Sequence, residues 1–205
     1  MAFHELRRDS KGAVPSMAMR VIAGLYRSRP LAAPRGLSTR PTYDRLRETL
    51  FNVLAPRIEG AVFADLYAGS GANGIEALSR RAKQVFFIEN APPALAAIRA
   101  NLASLGIREG FRIEARSVAA AMQRLAKEGQ ELDLVFLDPP YESQKEYATT
   151  LALLDGECAR LLASGAIVIA EHRRREPLAE RYGSLTRYRV LEQGDAALSF
   201  YSMAE

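Results

Sequence analysis

Along the chain, apolar residues fall into two alternating rhythms. Val62–Tyr67, Gln84–Ile88, Phe111–Ala115 and Leu132–Leu137 are short runs rich in apolar residues, the pattern of strands covered on both faces. Between them lie stretches with helical spacing: Ile75–Arg81, Pro92–Leu105 (through Leu95, Ile98, Leu102 and Leu105), Ser117–Lys127 and Glu142–Leu162. Upstream, Pro41 and Thr42 open a further helix, with Asp44 in its first turn and Leu46, Leu50, Val53 and Leu54 on its apolar side. Gly165–Glu171 reads as another buried strand, and Thr186–Glu192 with Leu198–Ser202 as two strands that close the sheet as an antiparallel pair. Strand and helix taking turns predict an α/β fold, a doubly wound sheet with right-handed crossovers. Two β-leaning pieces flank Gly24 within Arg20–Pro34 and predict a small hairpin. The expected division is a flexible extension over 1–18, a basic β-hairpin over 19–40 and one main domain over 41–205.

Composition narrows the function classes. At 205 residues the chain suits one ordinary domain. No apolar run approaches the roughly 18 residues of a spanning helix, and no signal-like block opens the chain, so a cytoplasmic protein with no membrane partner is expected. Cys158 is the single cysteine and His4 and His172 the two histidines, which excludes a disulfide framework and argues against a metal site. Cys158, inside an apparent helix without a neighbouring base, reads as a core residue. Charge is unevenly distributed: residues 1–57 hold 11 Lys or Arg against 4 Asp or Glu, while the whole chain has a net charge of +4. Ten of those cations are Arg, whose planar fork suits phosphate, so the front of the chain reads as a nucleic-acid-binding arm. His172-Arg173-Arg174-Arg175 reads as a loop beyond a strand, either solvated or touching a phosphate backbone.

Candidate chemistry sits at the ends of two strands. After Val62–Tyr67, Gly69, Gly71 and Gly74 spell G-x-G-x-x-G in a strand–turn–helix context, where the backbone can turn tightly and approach a ligand. Glu89 ends the next strand, 20 positions after Gly69, where an acid can accept bonds from ribose hydroxyls. Leu132–Leu137 runs directly into Asp138-Pro139-Pro140-Tyr141. Two prolines remove two N–H donors, leaving a cluster of acceptors beside an aromatic face, which suits a flat group bearing N–H donors such as a nucleobase amine. The glycine pattern with Glu89 fits a dinucleotide equally well. A hydride-transfer site, however, needs a substrate acid or base, and neither a Tyr-x-x-x-Lys pair nor a placed His is present. A non-catalytic nucleic-acid-binding protein would have no need of Gly69, Gly71, Glu89 and Asp138 together.

Asp65 to Arg80, Glu89 and Asp138-Pro139-Pro140-Tyr141 resemble the cofactor loop, ribose acid and catalytic tetrad of class I amino-methyltransferases. Arg40-Pro41-Thr42, Asp44-Arg45 and Arg47-Glu48-Thr49-Leu50-Phe51-Asn52 narrow the resemblance, from about Met19 onward, to the RsmD family of guanine-N2 methyltransferases of small-subunit ribosomal RNA. The resemblance implies a seven-stranded, Rossmann-like methyltransferase sheet with an RNA-binding N-terminal hairpin. It implies S-adenosylmethionine as cofactor, and 16S ribosomal RNA within the 30S subunit as partner; a monomer is expected. Asp65, Tyr67, Gly69, Ser70, Gly71, Glu89, Asn90, Ser117 and Asp138 are then expected around the cofactor. The adenine contact is then expected from Ser117 or from backbone, since no acid occupies that position. Asp138, Pro139, Pro140 and Tyr141 are expected at the reacting amine, and Arg20, Arg27, Arg29, Arg40, Arg45 and Arg47 on RNA phosphates. The alternative within the same chemistry is an N6-adenine DNA methyltransferase; no separate target-recognition domain is visible in the chain.

Overall fold

The computed structural model describes residues 19–33, 41–140 and 144–204. The extension 1–18, Arg40 and Tyr141 lie outside them. The elements in order are α1 (Pro41–Ile58), β1 (Val62–Leu66), α2 (Ala72–Ser79), β2 (Gln84–Glu89), α3 (Pro92–Ser104), β3 (Phe111–Ala115), α4 (Val118–Lys127), β4 (Leu132–Leu137), α5 (Gln144–Asp155), β5 (Leu162–Arg173), β6 (Arg181–Tyr182), β7 (Leu185–Gln193) and β8 (Ala196–Met203). The strands form one sheet in the order β3-β2-β1-β4-β5-β8-β7-β6. The first five are parallel, and β8, β7 and β6 add antiparallel pairs. The doubly wound sheet is as expected. Among the described residues it carries eight strands rather than seven, because Arg181 and Tyr182 add a two-residue edge strand too short to leave a pattern in the sequence.

Alternation along each central strand divides the core into two layers. Phe63, Phe87, Leu134, Phe136 and Ile169 face α1, α2 and α3, where they meet Leu50, Phe51, Ile75 and Ile98. Ala64, Leu66, Ile88, Val135, Leu137 and Val168 face α4 and α5, against Met122, Leu125, Tyr147 and Leu151. A strand buried on both faces needs apolar residues at both parities, which is why these segments read as continuous apolar runs.

Other differences have local causes. The helix expected over 142–162 stops at Asp155 and is followed by a single 3-10 turn at Ala159–Leu161; Gly156 lies just beyond the helix end. Cys158 is fully buried, as expected of a core residue, but lies just past the helix rather than within it. The hairpin around Gly24 is reduced to a bridge between Arg20 and Pro30, with backbone bonds from Val21 to Arg29 and from Leu31 to Met19. His172, expected in a loop, is buried within β5, and its Nε2 lies 2.8 Å from the Ser199 hydroxyl. Burial lowers its pKa, so it acts as a neutral interior hydrogen-bonding group.

The glycine motif is explained by packing as much as by ligand approach. Gly71 has φ +78°, a conformation strained for any residue with a side chain. Gly74 sits on the first turn of α2 directly over Phe87, and a Cβ there would run into the ring. Phe87 cannot yield, since it is fully buried and packs edge-on against Phe111 at 6.3 Å between centroids. Gly74→Ala is therefore expected to destabilise the protein by about 1–3 kcal/mol despite the better helix propensity of Ala. Thermal or urea denaturation checks this, and an unchanged midpoint would contradict the packing argument.

Candidate active site

Four carboxyl groups stand at or near the carboxyl ends of four neighbouring parallel strands. They are Glu89 on β2, Asp65 on β1, Asp138 just past β4 and Glu171 on β5. This edge is where ligands bind in open α/β sheets. Asp65 is 1 % exposed, and its Oδ2 accepts the Gly74 N–H at 2.9 Å. It thereby satisfies one of the free donors in the first turn of α2 from across the core. Burial, and then the neighbouring Glu89, raise its pKa to about 8 against the pull of the Gly74 N–H and Arg47. Asp138 is half-buried, and its pKa is raised well above the carboxylate range by desolvation, then by Glu171 and Asp65.

Glu89 is an anchor for backbone. Its Oε2 accepts from Gly69 N at 2.9 Å, and its Oε1 from Asn90 N and Ala91 N at 2.7 and 2.8 Å. A carboxylate offers about four lone-pair sites. These backbone bonds leave Oε2 with room for a ribose hydroxyl while fixing the glycine loop to β2. Gly69 has φ +55° and open space where a side chain would be. An acidic crevice with open backbone at its glycine loop suits a cationic nucleoside ligand.

The remaining expected residues divide. Tyr67 takes a left-handed conformation, φ +63°, and its phenol donates to Glu146 Oε2 at 2.8 Å beside Thr150 Oγ1 at 2.9 Å, tying the loop to α5. Ser70 is half-buried within the loop, and its carbonyl accepts from Asn101 Nδ2. Asn90 is exposed beside Glu89. Ser117 caps α4, accepting Ala120 N at 3.4 Å, which leaves its hydroxyl hydrogen as a donor. Pro139 is buried and Pro140 exposed. Arg20, Arg27, Arg29 and Arg45 are exposed, and Arg29 also donates to Ser104 O at 3.1 Å. Arg47 corrects the expectation of a surface phosphate ligand. It is 6 % exposed and donates to Arg20 O at 2.8 Å and Asp44 Oδ1 at 2.7 Å, because α1 turns it toward the core side of the helix.

Two important residues were not singled out from the sequence. Glu76, fully buried on α2, accepts from Ile22 N, Ala23 N and Arg80 Nε. Asn101 on α3 bonds Ala32 and Ser70. The signal available was a polar residue at an inward helical position, where an unpaired group would be costly. Among the described residues, no cluster of His, Cys, Asp and Glu is arranged to hold a metal, and no helix is long and apolar enough to cross a membrane.

Residues 19–202 match the family described as Conserved hypothetical protein 95. The chain belongs to it, the RsmD family of S-adenosylmethionine-dependent methyltransferases. It is 36 % identical to the Bacillus subtilis protein YlbH over 183 residues, 89 % of this chain and 98 % of that one. To ribosomal RNA small subunit methyltransferase D of Escherichia coli it is 42 % identical over 123 residues, 60 % of each chain. The solved structure of the Escherichia coli protein yhhF superposes with a TM-score of 0.74 at 36 % identity, covering 90 % of this chain and 97 % of that one.

The raised pKa of Asp65 gives a stability signature. A group whose folded pKa lies above its unfolded value contributes stability that is fully present below the unfolded pKa and is lost as pH rises through the folded one. For Asp65 the window runs from about 4 to about 8. Within it the ligand-free protein is expected to weaken by up to about 1.4 kcal/mol per pH unit relative to Asp65→Asn. Parallel urea titrations of the two proteins at pH 5, 6, 7 and 8 check this. Parallel stability profiles would contradict it.

Proposed function

We propose that this protein transfers a methyl group from S-adenosylmethionine to the exocyclic N2 amine of a guanine in 16S ribosomal RNA, acting as a monomer on the 30S particle. The observation that carries the reading is the position of Asp138, backed by Pro139 and Pro140, at the end of β4 beside the Asp65 strand and its glycine loop. The names of the Escherichia coli and Haemophilus influenzae relatives, both ribosomal RNA small subunit methyltransferase D, support the RNA substrate. The motif resemblance supports the guanine amine. The cationic front of the chain, with Arg20, Arg27, Arg29 and Arg45 exposed and Arg40 on the same stretch of sequence, supports phosphate contacts.

The donor set fits the cofactor. Gly69, Ser70 and Gly71 offer backbone to its methionine end, Glu89 Oε2 takes a ribose hydroxyl, and the crowded carboxyls of Asp65 and Asp138 favour a cation. When bound, S-adenosylmethionine supplies an electrophilic methyl carbon and retains the electron pair of the breaking S–C bond as a neutral thioether. The protein's part is to prepare the nucleophile. An exocyclic amine shares its lone pair with the ring. The Asp138 carboxylate and the Pro139 carbonyl accept its two hydrogens, which draws the nitrogen toward a tetrahedral geometry with its lone pair free. Tyr141 stacks on the extruded base. After the N–C bond forms, the surplus proton on nitrogen leaves by way of the Asp138 carboxylate to water. Positioning and a preorganised field carry the rate, not a strong base.

The test is labelled methyl transfer to 30S particles, naked 16S ribosomal RNA and duplex DNA, followed by nucleoside analysis. N2-methylguanosine, formed mainly on 30S, is expected; label on DNA adenine, or none despite cofactor binding, contradicts the reading. In the same assay Asp138→Ala is expected to lower kcat by about 100-fold or more. Asp138→Asn, which keeps one acceptor oxygen, should fall between, and normal turnover in Asp138→Ala would remove Asp138 from the proposed role.

A further inference from the structure

Residues 19–33 are secured to the body by buried polar side chains of the helices around the cofactor loop. Arg47 on α1 holds the Arg20 carbonyl, while Glu76 on α2 takes the N–H groups of Ile22 and Ala23 at 2.7 and 3.0 Å. Ser79 Oγ accepts from Tyr26 N at 3.0 Å. The two ends of the segment are joined by Leu31 N to Met19 O at 2.8 Å. Met19 Sδ lies 3.5 Å from the Ser70 hydroxyl. Asn101, 2 % exposed, accepts Ala32 N on Oδ1 at 2.7 Å and donates from Nδ2 to Ala32 O at 3.0 Å and Ser70 O at 2.9 Å.

We propose that Asn101 is a positioning residue that links the arginine-bearing segment 19–33 to the Ser70 carbonyl of the glycine loop, so that RNA and cofactor each strengthen the other's binding. The inference rests on the reading that this segment meets RNA. Only an amide supplies an acceptor and two donors from one planar head, which this junction of three backbone groups requires. Asp would lose both donors and set an oxygen against two carbonyls. Ser70 stands between Gly69 and Gly71, both at positive φ, so its carbonyl direction governs how the loop presents its backbone. Arg29 reaches Ser104, three residues beyond Asn101 on α3, so a phosphate bound to Arg27 or Arg29 loads the segment that Asn101 holds. Linkage makes any such effect reciprocal.

Equilibrium dialysis of labelled S-adenosylhomocysteine, with and without saturating 30S particles, reads the coupling. In the wild-type protein 30S is expected to tighten binding about five-fold or more. In Asn101→Asp, with a native circular dichroism spectrum, the ratio should fall to about one, an effect that loss of stability alone would not produce. Ala32→Pro, which deletes the N–H to Oδ1 without touching α3, should lower the ratio in the same sense and decides the matter if Asn101→Asp does not fold. A wild-type ratio of one with both ligands bound, or an unchanged ratio in the variants, overturns the coupling while leaving the proposed reaction intact. A wild-type protein that binds no S-adenosylhomocysteine, or no 30S, overturns the cofactor or RNA reading and the coupling with it.

Discussion

The constraint on which the site depends is the crowding of Glu89, Asp65, Asp138 and Glu171 along one edge of the sheet. Sheet order makes this unavoidable, since β2, β1, β4 and β5 are neighbours and each carries an acid at or near its carboxyl end. Asp65 and Asp138 resist ionising there, through burial first and their carboxyl neighbours second. Nearby backbone donors offset part of the strain, Gly74 at Asp65 and Gly69, Asn90 and Ala91 at Glu89. Those same bonds shape the glycine loop and the start of α2. The acids therefore build the loop and also create a field that a bound cation relieves.

The second dependence is the docking of residues 19–33. In an isolated helix, Arg47, Glu76, Ser79 and Asn101 would look like solubilising positions. Here they are all buried and bonded to this segment or its immediate surroundings. Burial of a polar group is tolerable only with its partners in place, so these bonds make the segment a wall of the body that meets the glycine loop at Ser70.

The parallel core was legible because a strand covered on both faces must be apolar at both parities; Val62–Leu66 and Leu132–Leu137 could be read as little else. Gly69, Gly71 and Glu89 were legible through spacing, and Asp138 through the prolines behind it. Arg47 was misread because helical spacing alone does not reveal that Arg20, near the start of residues 19–33, supplies a carbonyl to it. Glu76 and Asn101 were missed for the same reason, since their partners are backbone groups of a segment 54 and 69 residues away. Burial of His172 depended on the antiparallel β8, which brings Ser199 to its ring.

The most direct measurement of the central claim is the number of protons exchanged when cofactor binds, obtained by calorimetry near pH 7 in buffers of different ionisation enthalpy. Asp65 and Asp138, held partly protonated by burial and then by their carboxyl neighbours, should release protons when a sulfonium arrives. The account predicts net proton release for S-adenosylmethionine and distinctly less for S-adenosylhomocysteine, which lacks that charge. Equal proton exchange for the two ligands, or none for either, would mean that the carboxyl edge does not recognise the cofactor's positive charge.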